Sequence, residues 1–221
     1  MLDEEGKIIP LLAFIPAAER YNLMTSIDRW VVRKAFETFS AHAGIVSGWL
    51  FSINLSGQSL SEEGFLKFVI DTFDKTGVSP DRVCFEITET TAMVNLTRAT
   101  QFIAVLKGMG CHFSLDDFGT GLSSFGYLRA LNVDYLKIDG SFVRHIVSDP
   151  VNRAVVEAAN QIGHVMGIKT VAEFVESNEI MEILRQIGVD YAQGYAVEKP
   201  HPLKDLFSEA DRTITQKSAG M

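Results

Sequence analysis

Short apolar runs that each carry a polar side chain near one end alternate along the chain with longer amphipathic segments. The runs predict six strands, at 49–55, 83–89, 113–118, 135–139, 168–174 and 191–195. The segments between them predict helices at 62–76, 96–109, 126–131, 149–166 and 179–187. Strand and helix recur at intervals of roughly 20 to 35 residues, which is typical of parallel strands joined by right-handed crossovers. The pattern therefore predicts an α/β fold with a parallel sheet.

The polar side chains of these strands favour a closed barrel over an open sheet. Because strand side chains alternate between faces, Cys84 lies on the same side as Glu86, and Ser114 on the same side as Asp116. An open, doubly wound sheet needs polar groups only where its strand order reverses, whereas a barrel collects one residue from each strand at its mouth. We therefore expect a (β/α)8 TIM-type barrel. Six convincing strands in 221 residues fall short of eight βα units of about 250 residues, so we expect the barrel to be incomplete at its N-terminus, with the first strands missing.

Composition limits the domain count and the class of partner. With 47% hydrophobic residues and a mean hydropathy of +0.12, the chain can bury a core. We expect one domain over 1–208 and a polar tail over 209–221. The net charge of -8 argues against DNA or RNA as a partner, because a non-specific nucleic-acid binder needs a basic surface.

The cysteines and the N-terminal residues indicate the cellular compartment in which the protein functions. Cys84 and Cys111 both lie in or beside strand-like runs, which predicts buried thiols rather than a disulfide framework. The first residues are acidic and lack the basic and apolar regions of a secretion signal. We therefore expect a cytoplasmic protein, or the cytoplasmic domain of a membrane-anchored one. The segment before the first strand predicts a short irregular lead and then a helix that Ser26 caps.

Acidic and amide side chains near the strand ends are the candidate functional residues. Taken singly, a carboxylate at a strand end is most often a solvated loop residue or a helix cap. Taken together, four carboxylates and an amide would repel one another at one barrel mouth unless divalent cations lay among them. Hard oxygen ligands of this kind suit Mg²⁺ or Mn²⁺. The candidate ligands are Asn54, Glu86, Asp116, Asp117 and Glu173.

Six motifs in the same order give the chain a resemblance to a known family. They are Asn54-Leu55-Ser56, Glu86-Ile87-Thr88-Glu89, the DDFGTG run at 116–121, LKID at 136–139, AEFVE at 172–176 and Gln193-Gly194-Tyr195. With the lead PLLAFIPAAE at 10–19, the chain resembles the EAL-domain cyclic di-GMP phosphodiesterases over nearly its whole length. The resemblance implies hydrolysis of one phosphodiester bond of cyclic di-GMP, which gives linear pGpG.

The resemblance also implies a two-metal site that binds Mg²⁺ or Mn²⁺. Asn54, Glu86 and Asp116 would hold one metal, and Asp116 would bridge to a second metal bound by Asp117 and Glu173. Glu173 would thereby also take part in catalysis.

Four further residues receive roles from the resemblance. Lys137 would orient the attacking water or stabilise negative charge on the phosphorane, and Glu89 would brace the loop after Asp117. Gln193 would hydrogen-bond in the metal-water shell, and Glu176 of the AEFVE run is expected to bind at the same metal site. The alternative for Lys137 is a buried ion pair with Asp139, which shares its face.

Departures from the family pattern lie at four places. The Glu-x-Leu strand, whose glutamate is a metal ligand, is expected just upstream of Met1 and is absent. Phe174 replaces a frequent glycine, Leu122 a frequent tyrosine and Gly140 a frequent arginine, and these changes are expected to alter packing and nucleotide fit rather than the chemistry. The missing glutamate predicts either a fragment of a longer enzyme or an inactive domain.

Three functions and two kinds of partner follow as expectations. The first function is a phosphodiesterase domain attached to sensor or GGDEF-type domains. The second is a non-catalytic receptor of cyclic di-GMP, and the third is a metal hydrolase with a different phosphate substrate. The open edges left by missing strands predict a homodimer or a tendency to aggregate.

Overall fold

The computed structural model describes residues 4–7, 9–45, 48–121, 126–203 and 205–207. Six parallel strands form one sheet in the order β1 to β6, so each strand pairs with its neighbour in the sequence. The strands are β1 (Phe51–Asn54), β2 (Val83–Thr88), β3 (His112–Phe118), β4 (Tyr135–Ile138), β5 (Lys169–Ala172) and β6 (Tyr191–Ala192). The sequential order excludes a doubly wound sheet, and the strands form a curled half-barrel. The prediction of an incomplete (β/α)8 barrel is confirmed.

All five helices predicted between the strands are present, as is a helix before the first strand, and shorter helices accompany them. The helices are α1 (Leu11–Arg20), α2 (Met24–Ala41), α3 (Gly57–Ser61), α4 (Glu63–Thr76), α5 (Glu89–Val94), α6 (Leu96–Gly108), α7 (Gly126–Leu131), α8 (Gly140–Val143), α9 (Pro150–Val165) and α10 (Asn178–Ile187). Pro80–Arg82 forms a short 3-10 turn. The predicted tail at 209–221 lies outside the described residues, as does Leu122.

Short helices that the sequence did not predict follow β1, β2 and β4. Each begins at a capping side chain, because Ser56 accepts from the Ser59 N–H, Thr88 from the Thr91 N–H, and Asp139 from the Ser141 N–H. These caps satisfy helix N–H groups that would otherwise lack partners. They also fix the backbone within three residues of Asn54, Glu86 and Lys137, so the chain leaves each strand in one defined direction.

The N-terminal expectations were wrong in two respects. The lead forms α1, which begins directly after Pro10; that residue is extended, with a φ of -58° and a ψ of 145°. Ser26 is the third residue of α2 and does not cap it. The Gln58 side-chain carbonyl instead accepts from the N–H of Met24, the first residue of α2, at 3.3 Å.

The core lies between the outer face of the sheet and the helices. Phe85 and Phe113 are register partners on β2 and β3, and their ring centroids are 5.8 Å apart. Phe102 of α6 meets the Phe113 ring edge-on at 6.2 Å. Burying each ring contributes about 1.5 to 3 kcal/mol. Since neighbouring strand residues face opposite ways, this packing turns Glu86 toward the concave face.

Cys84 and Cys111 are both free and buried, as predicted. Burial raises the pKa of each thiol to about 12, so both remain neutral thiols at physiological pH. Among the described helices, none is both long and apolar enough to span a bilayer.

Candidate active site

Lys137 lies at the centre of a buried acidic cluster on the concave face of the sheet. Its Nζ is 2.7 Å from Glu173 Oε1, 2.9 Å from Glu86 Oε2 and 3.1 Å from Asp116 Oδ1. Only 4% of Lys137 is exposed to solvent. Glu86, Asp116 and Lys137 belong to β2, β3 and β4, and Glu173 follows the last residue of β5. Four adjacent strand ends therefore meet at one ammonium group.

Asp117 joins this cluster because β3 is irregular. In a regular strand the consecutive residues Asp116 and Asp117 would point to opposite faces. Here the register with β4 shifts between Leu115 and Phe118, and Asp117 adopts a φ of +55°. One carboxylate oxygen from each of Asp116, Asp117 and Glu173 consequently lies within 4.8 Å of the other two. Aspartate tolerates this left-handed conformation better than most residues, which explains its use at this turn.

Asn54 and Gln193 lie at the two edges of the described sheet. Asn54 ends β1, is paired in register with Glu86, and has an exposed side chain. Gln193 follows β6, and its backbone N–H donates to the Ala172 carbonyl at 2.8 Å. Its side chain lines a cavity of about 300 Å³ together with Glu86 and Lys137. Both residues thus border the concave face.

Glu176 lies apart from the contacts made by Lys137. Its exposed carboxylate is 3.6 Å from the Nε of Arg144, which follows α8. The alternative partner of Lys137, Asp139, accepts a hydrogen bond from the Ser141 N–H at 2.8 Å and caps α8. Lys137 is therefore paired with three carboxylates of the cluster rather than with Asp139.

Glu89 is fully buried and holds the loop that follows Asp117. Its Oε2 accepts from the Gly119 N–H at 3.0 Å and from the Gly121 N–H at 3.4 Å. The Tyr127 hydroxyl donates to its Oε1. A Cβ at position 121 would lie 3.2 Å from the Glu89 carboxyl carbon, so this approach favours glycine. Glu89 thus contacts the loop after Asp117, which is the loop that it was expected to brace.

Two supporting residues were not singled out in the sequence. Tyr127 is buried, and burial with the Glu89 carboxylate raises the pKa of its hydroxyl. Asp28 on α2 is 5% exposed, and its Oδ2 accepts from the Ser56 N–H at 2.9 Å and from the Ser59 hydroxyl at 2.6 Å. Asp28 therefore fixes the chain immediately after Asn54. An acidic residue within the apolar stripe of α2 was the available signal, because a buried carboxylate requires donors.

The cluster holds more carboxylates than cationic side chains. Burial lowers the pKa of Lys137, but Glu86, Asp116 and Glu173 outweigh this effect and hold the pKa above its ordinary value. Burial, with the nearby Asp116 and Asp117 carboxylates, raises the pKa of Glu173 to about 7 despite its contact with Lys137. Burial and Asp116 likewise raise the pKa of Asp117. The single ammonium group therefore does not fully offset the crowding of negative charge, and the oxygen-rich cluster has the chemistry to hold hard dications.

The raised pKa of Glu173 predicts how stability depends on pH in the metal-free protein. A carboxyl group whose folded pKa exceeds its ordinary 4.5 stabilises the fold fully below pH 4.5 and loses that contribution as the pH rises through about 7. We expect the urea midpoint in EDTA to fall between about pH 5 and pH 8. Glu173→Gln should flatten that slope, whereas the exposed control Glu179→Gln should retain it. Equal slopes for all three proteins would contradict the assignment to Glu173.

Comparison with known proteins identifies the family. The model of the EAL domain family matches residues 1–200. The chain belongs to the EAL domain family. Among curated relatives, it is 43% identical over 213 residues to the cyclic di-GMP phosphodiesterase PdeB of Shewanella oneidensis. It is 35% identical over 211 residues to the cyclic di-GMP phosphodiesterase PdeF of Escherichia coli. Both matches cover 96% of this EAL domain but only 25% and 28% of the respective relatives, so the chain spans about a quarter of their length.

Solved EAL structures share the fold. A c-di-GMP complex of the phosphodiesterase PaMucR superposes with a TM-score of 0.85 at 30% identity, covering 92% of this chain and 83% of that chain. The EAL domain of FimX from Pseudomonas aeruginosa, bound to c-di-GMP, gives a TM-score of 0.84 at 28% identity and covers 90% of this chain and 80% of that chain. Both neighbours thus have c-di-GMP bound in their structures.

Proposed function

We propose that this EAL domain is the catalytic part of a divalent-metal-dependent phosphodiesterase that converts cyclic di-GMP to linear pGpG. The observation that carries the proposal is the cluster in which Glu86, Asp116 and Glu173 all lie within 3.1 Å of Lys137 Nζ. The names of PdeB and PdeF and the c-di-GMP bound to PaMucR support the choice of substrate.

The donor set fits two hard cations, for which we propose Mg²⁺ or Mn²⁺. Asn54, Glu86 and Asp116 would hold one, and Asp116, Asp117 and Glu173 would hold the other. The compact arrangement of the last three carboxylates supports this assignment. When bound, such a metal pair activates water and neutralises charge on the leaving oxygen.

The protein's own groups would position the reactants. Lys137 would bring a fixed positive charge to the phosphate as negative charge accumulates on its oxygens. Glu89 would keep the loop after Asp117 in place through the Gly119 and Gly121 N–H groups. Gln193 would hydrogen-bond a water at the site, and we retain Glu176 as a candidate contact at its rim. Attack by water would form a new P–O bond and break the P–O bond to one ribose oxygen; one proton of the water passes to the released hydroxyl, and the other stays on the new terminal phosphate or leaves to solvent.

A receptor without catalysis is the second candidate. Its support is the exposure of Asn54 at the sheet edge, because cation affinity depends on the charge and rigidity of the ligands, and an exposed, neutral amide adds little of either. In that case cyclic di-GMP would bind at the same face and pass a signal to an attached domain. The third possibility, a different phosphate substrate, differs from both in its product.

Metal dependence separates these functions. We expect the protein to convert cyclic di-GMP to pGpG with Mg²⁺ or Mn²⁺ and to stop when EDTA is added, as followed by chromatography. Calorimetry with cyclic di-GMP in the same buffers measures binding independently of turnover. Binding that is indifferent to EDTA and yields no pGpG would establish the receptor instead. Turnover of another phosphodiester, with cyclic di-GMP left intact, would establish the third function.

We propose a barrel domain over 1–208, a cytoplasmic location and attachment to sensor or GGDEF-type domains. We also propose self-association through sheet edges. Sedimentation that shows a monomer at all concentrations would contradict the homodimer.

A further inference from the structure

Two departures from the family pattern, Phe174 and Gly140, contact each other. A Cβ built on Gly140 would lie 2.6 Å from Phe174 Cγ and 2.9 Å from Phe174 Cβ. Real Cβ atoms do not approach other atoms so closely, and the nearer part of a phenylalanine side chain cannot swing away without moving the ring. Position 140 is therefore compatible only with glycine while Phe174 keeps its place.

The Phe174 ring is held in an unfavourable backbone conformation and yet remains exposed. Its φ is +51°, in the left-handed region that disfavours a bulky side chain. The residue is nevertheless 46% exposed, so burial compensates for only part of this strain. Strained residues of this kind concentrate at ligand-binding sites. Packing alone therefore does not explain the phenylalanine.

The surroundings place Phe174 at the rim of the acidic cluster. It directly follows Glu173, and Gly140 directly follows Asp139, whose charge acts on Asp117. The Arg144 guanidinium lies 4.0 Å from the Phe174 ring centroid. Arg144 therefore packs against the ring, and the residue as a whole is still 46% exposed.

We propose that Phe174 is a substrate-stacking residue, and that its exposed ring receives one guanine base of the cyclic dinucleotide. The inference rests on the proposed function, because it requires a phosphodiester at the carboxylate cluster. In a cyclic dinucleotide each phosphate is joined to a base through one ribose. A base joined to a phosphate at the cluster would therefore lie one ribose away from it, and Phe174, which directly follows Glu173, is an aromatic residue beside the cluster that could receive it. Aromatic rings stack on bases through their π faces, and Arg144 on the same ring adds a positive charge that suits an electron-rich purine.

Phe174→Leu tests stacking against packing. Leucine keeps an apolar side chain over Gly140 but lacks a flat π face. We expect the Kd for cyclic di-GMP, measured by calorimetry, to rise about 10-fold, while Phe174→Trp retains tight binding. Where the protein turns over, KM should rise with kcat nearly unchanged, since the cluster itself is intact. An unchanged Kd in Phe174→Leu would overturn the inference and leave Phe174 as a packing residue.

A second set of variants keeps the test valid if Phe174→Leu folds poorly. Gly140→Ala displaces the ring and should weaken binding in the parent protein. In a Phe174→Gly background, the same Gly140→Ala change should alter the Kd no further, because no ring remains to displace. Additive effects of the two changes would count against the inference.

Failure of the inference differs from failure of the proposed function. Binding of cyclic di-GMP without pGpG formation refutes the phosphodiesterase, but the Kd values of the Phe174 variants still decide the stacking role. A parent protein that does not bind cyclic di-GMP at all refutes both.

Discussion

Asp116→Asn is expected to reduce the turnover of cyclic di-GMP by on the order of 1,000-fold, about 4 kcal/mol of transition-state stabilisation. Asp116 is the one residue assigned to both metals, so the loss of its charge weakens both. Asparagine has nearly the same size, so the change removes charge and leaves the packing intact. The effect should therefore appear in kcat and in metal affinity rather than in folding.

The metal-free fold should tolerate this substitution. Lys137 keeps its contacts with Glu86 at 2.9 Å and with Glu173 at 2.7 Å. Asp116 also contributes to the raised pKa values of Asp117 and Glu173, so its neutralisation relieves repulsion in the cluster. The urea midpoint in EDTA should consequently stay the same or rise.

Initial rates with saturating Mg²⁺ or Mn²⁺ and urea titrations in EDTA measure the two effects separately. Asp71→Asn is the matched control, because that carboxylate pairs only with the exposed Lys67 among the contacts described and lies outside the cluster. It should change neither turnover nor the midpoint appreciably. Full turnover by Asp116→Asn would remove its assigned role, and a collapse of the midpoint would show that the loss of activity came from unfolding.

The sequence predicted the sheet well because strand periodicity reports which side chains face inward. Glu86, Asp116 and Lys137 were all expected on the concave face, and the structure brings them to one point. The period of two fails at Asp117, where a shift in register and a positive φ add a second carboxylate to the same side. Asp117 was included among the candidate ligands because it lies at a strand end and in a motif of the resemblance, whereas strand periodicity alone would have placed its side chain on the opposite face.

Contacts between distant segments were harder to predict. The Asp28 carboxylate accepts a hydrogen bond from the N–H of Ser56, 28 residues further along the chain. The Tyr127 hydroxyl donates to the Glu89 carboxylate, 38 residues earlier in the chain. Such pairs depend on how the helices pack against the curled sheet, and the local periodicity of the sequence does not specify that packing. Phe174 and Gly140 were noticed separately as departures, and only their contact shows that one requires the other.

The partner of Lys137 illustrates the same limit. Strand parity placed Lys137 and Asp139 on one face, which left an ion pair between them open. A short helix begins at Gly140, however, and the Asp139 carboxylate accepts from the Ser141 N–H as its cap. Lys137 is thereby paired with the acidic cluster, where its removal has large consequences.

Lys137→Met is expected to destabilise the metal-free protein by about 3 to 5 kcal/mol near pH 8, because it leaves buried carboxylates without their cation. Methionine preserves most of the side chain's length and apolar stem, so the loss reflects charge. At lower pH, Glu173 takes up a proton and the crowding of negative charge falls. The destabilisation should accordingly shrink as the pH drops below about 7.

Divalent cations should partly restore the stability of Lys137→Met. If the cluster binds Mg²⁺ or Mn²⁺, then metal at 100 times its Kd stabilises the fold by about 2.7 kcal/mol. Urea titrations with EDTA and with increasing metal measure this recovery. Turnover should remain low in the variant even when metal restores the fold, because the fixed positive charge at the phosphate is still missing.

Lys107→Met is the matched control. Lys107 also forms a lysine–aspartate pair, at 2.7 Å from Asp134, but its side chain is 21% exposed and lies outside the cluster. Its loss should cost about 1 kcal/mol or less and should not respond specifically to metal. If both variants lose the same stability, or if metal stabilises both equally, Lys137 is an ordinary ion-pair residue. A recovery confined to Lys137→Met would show that its ammonium and a dication neutralise the same group of carboxylates.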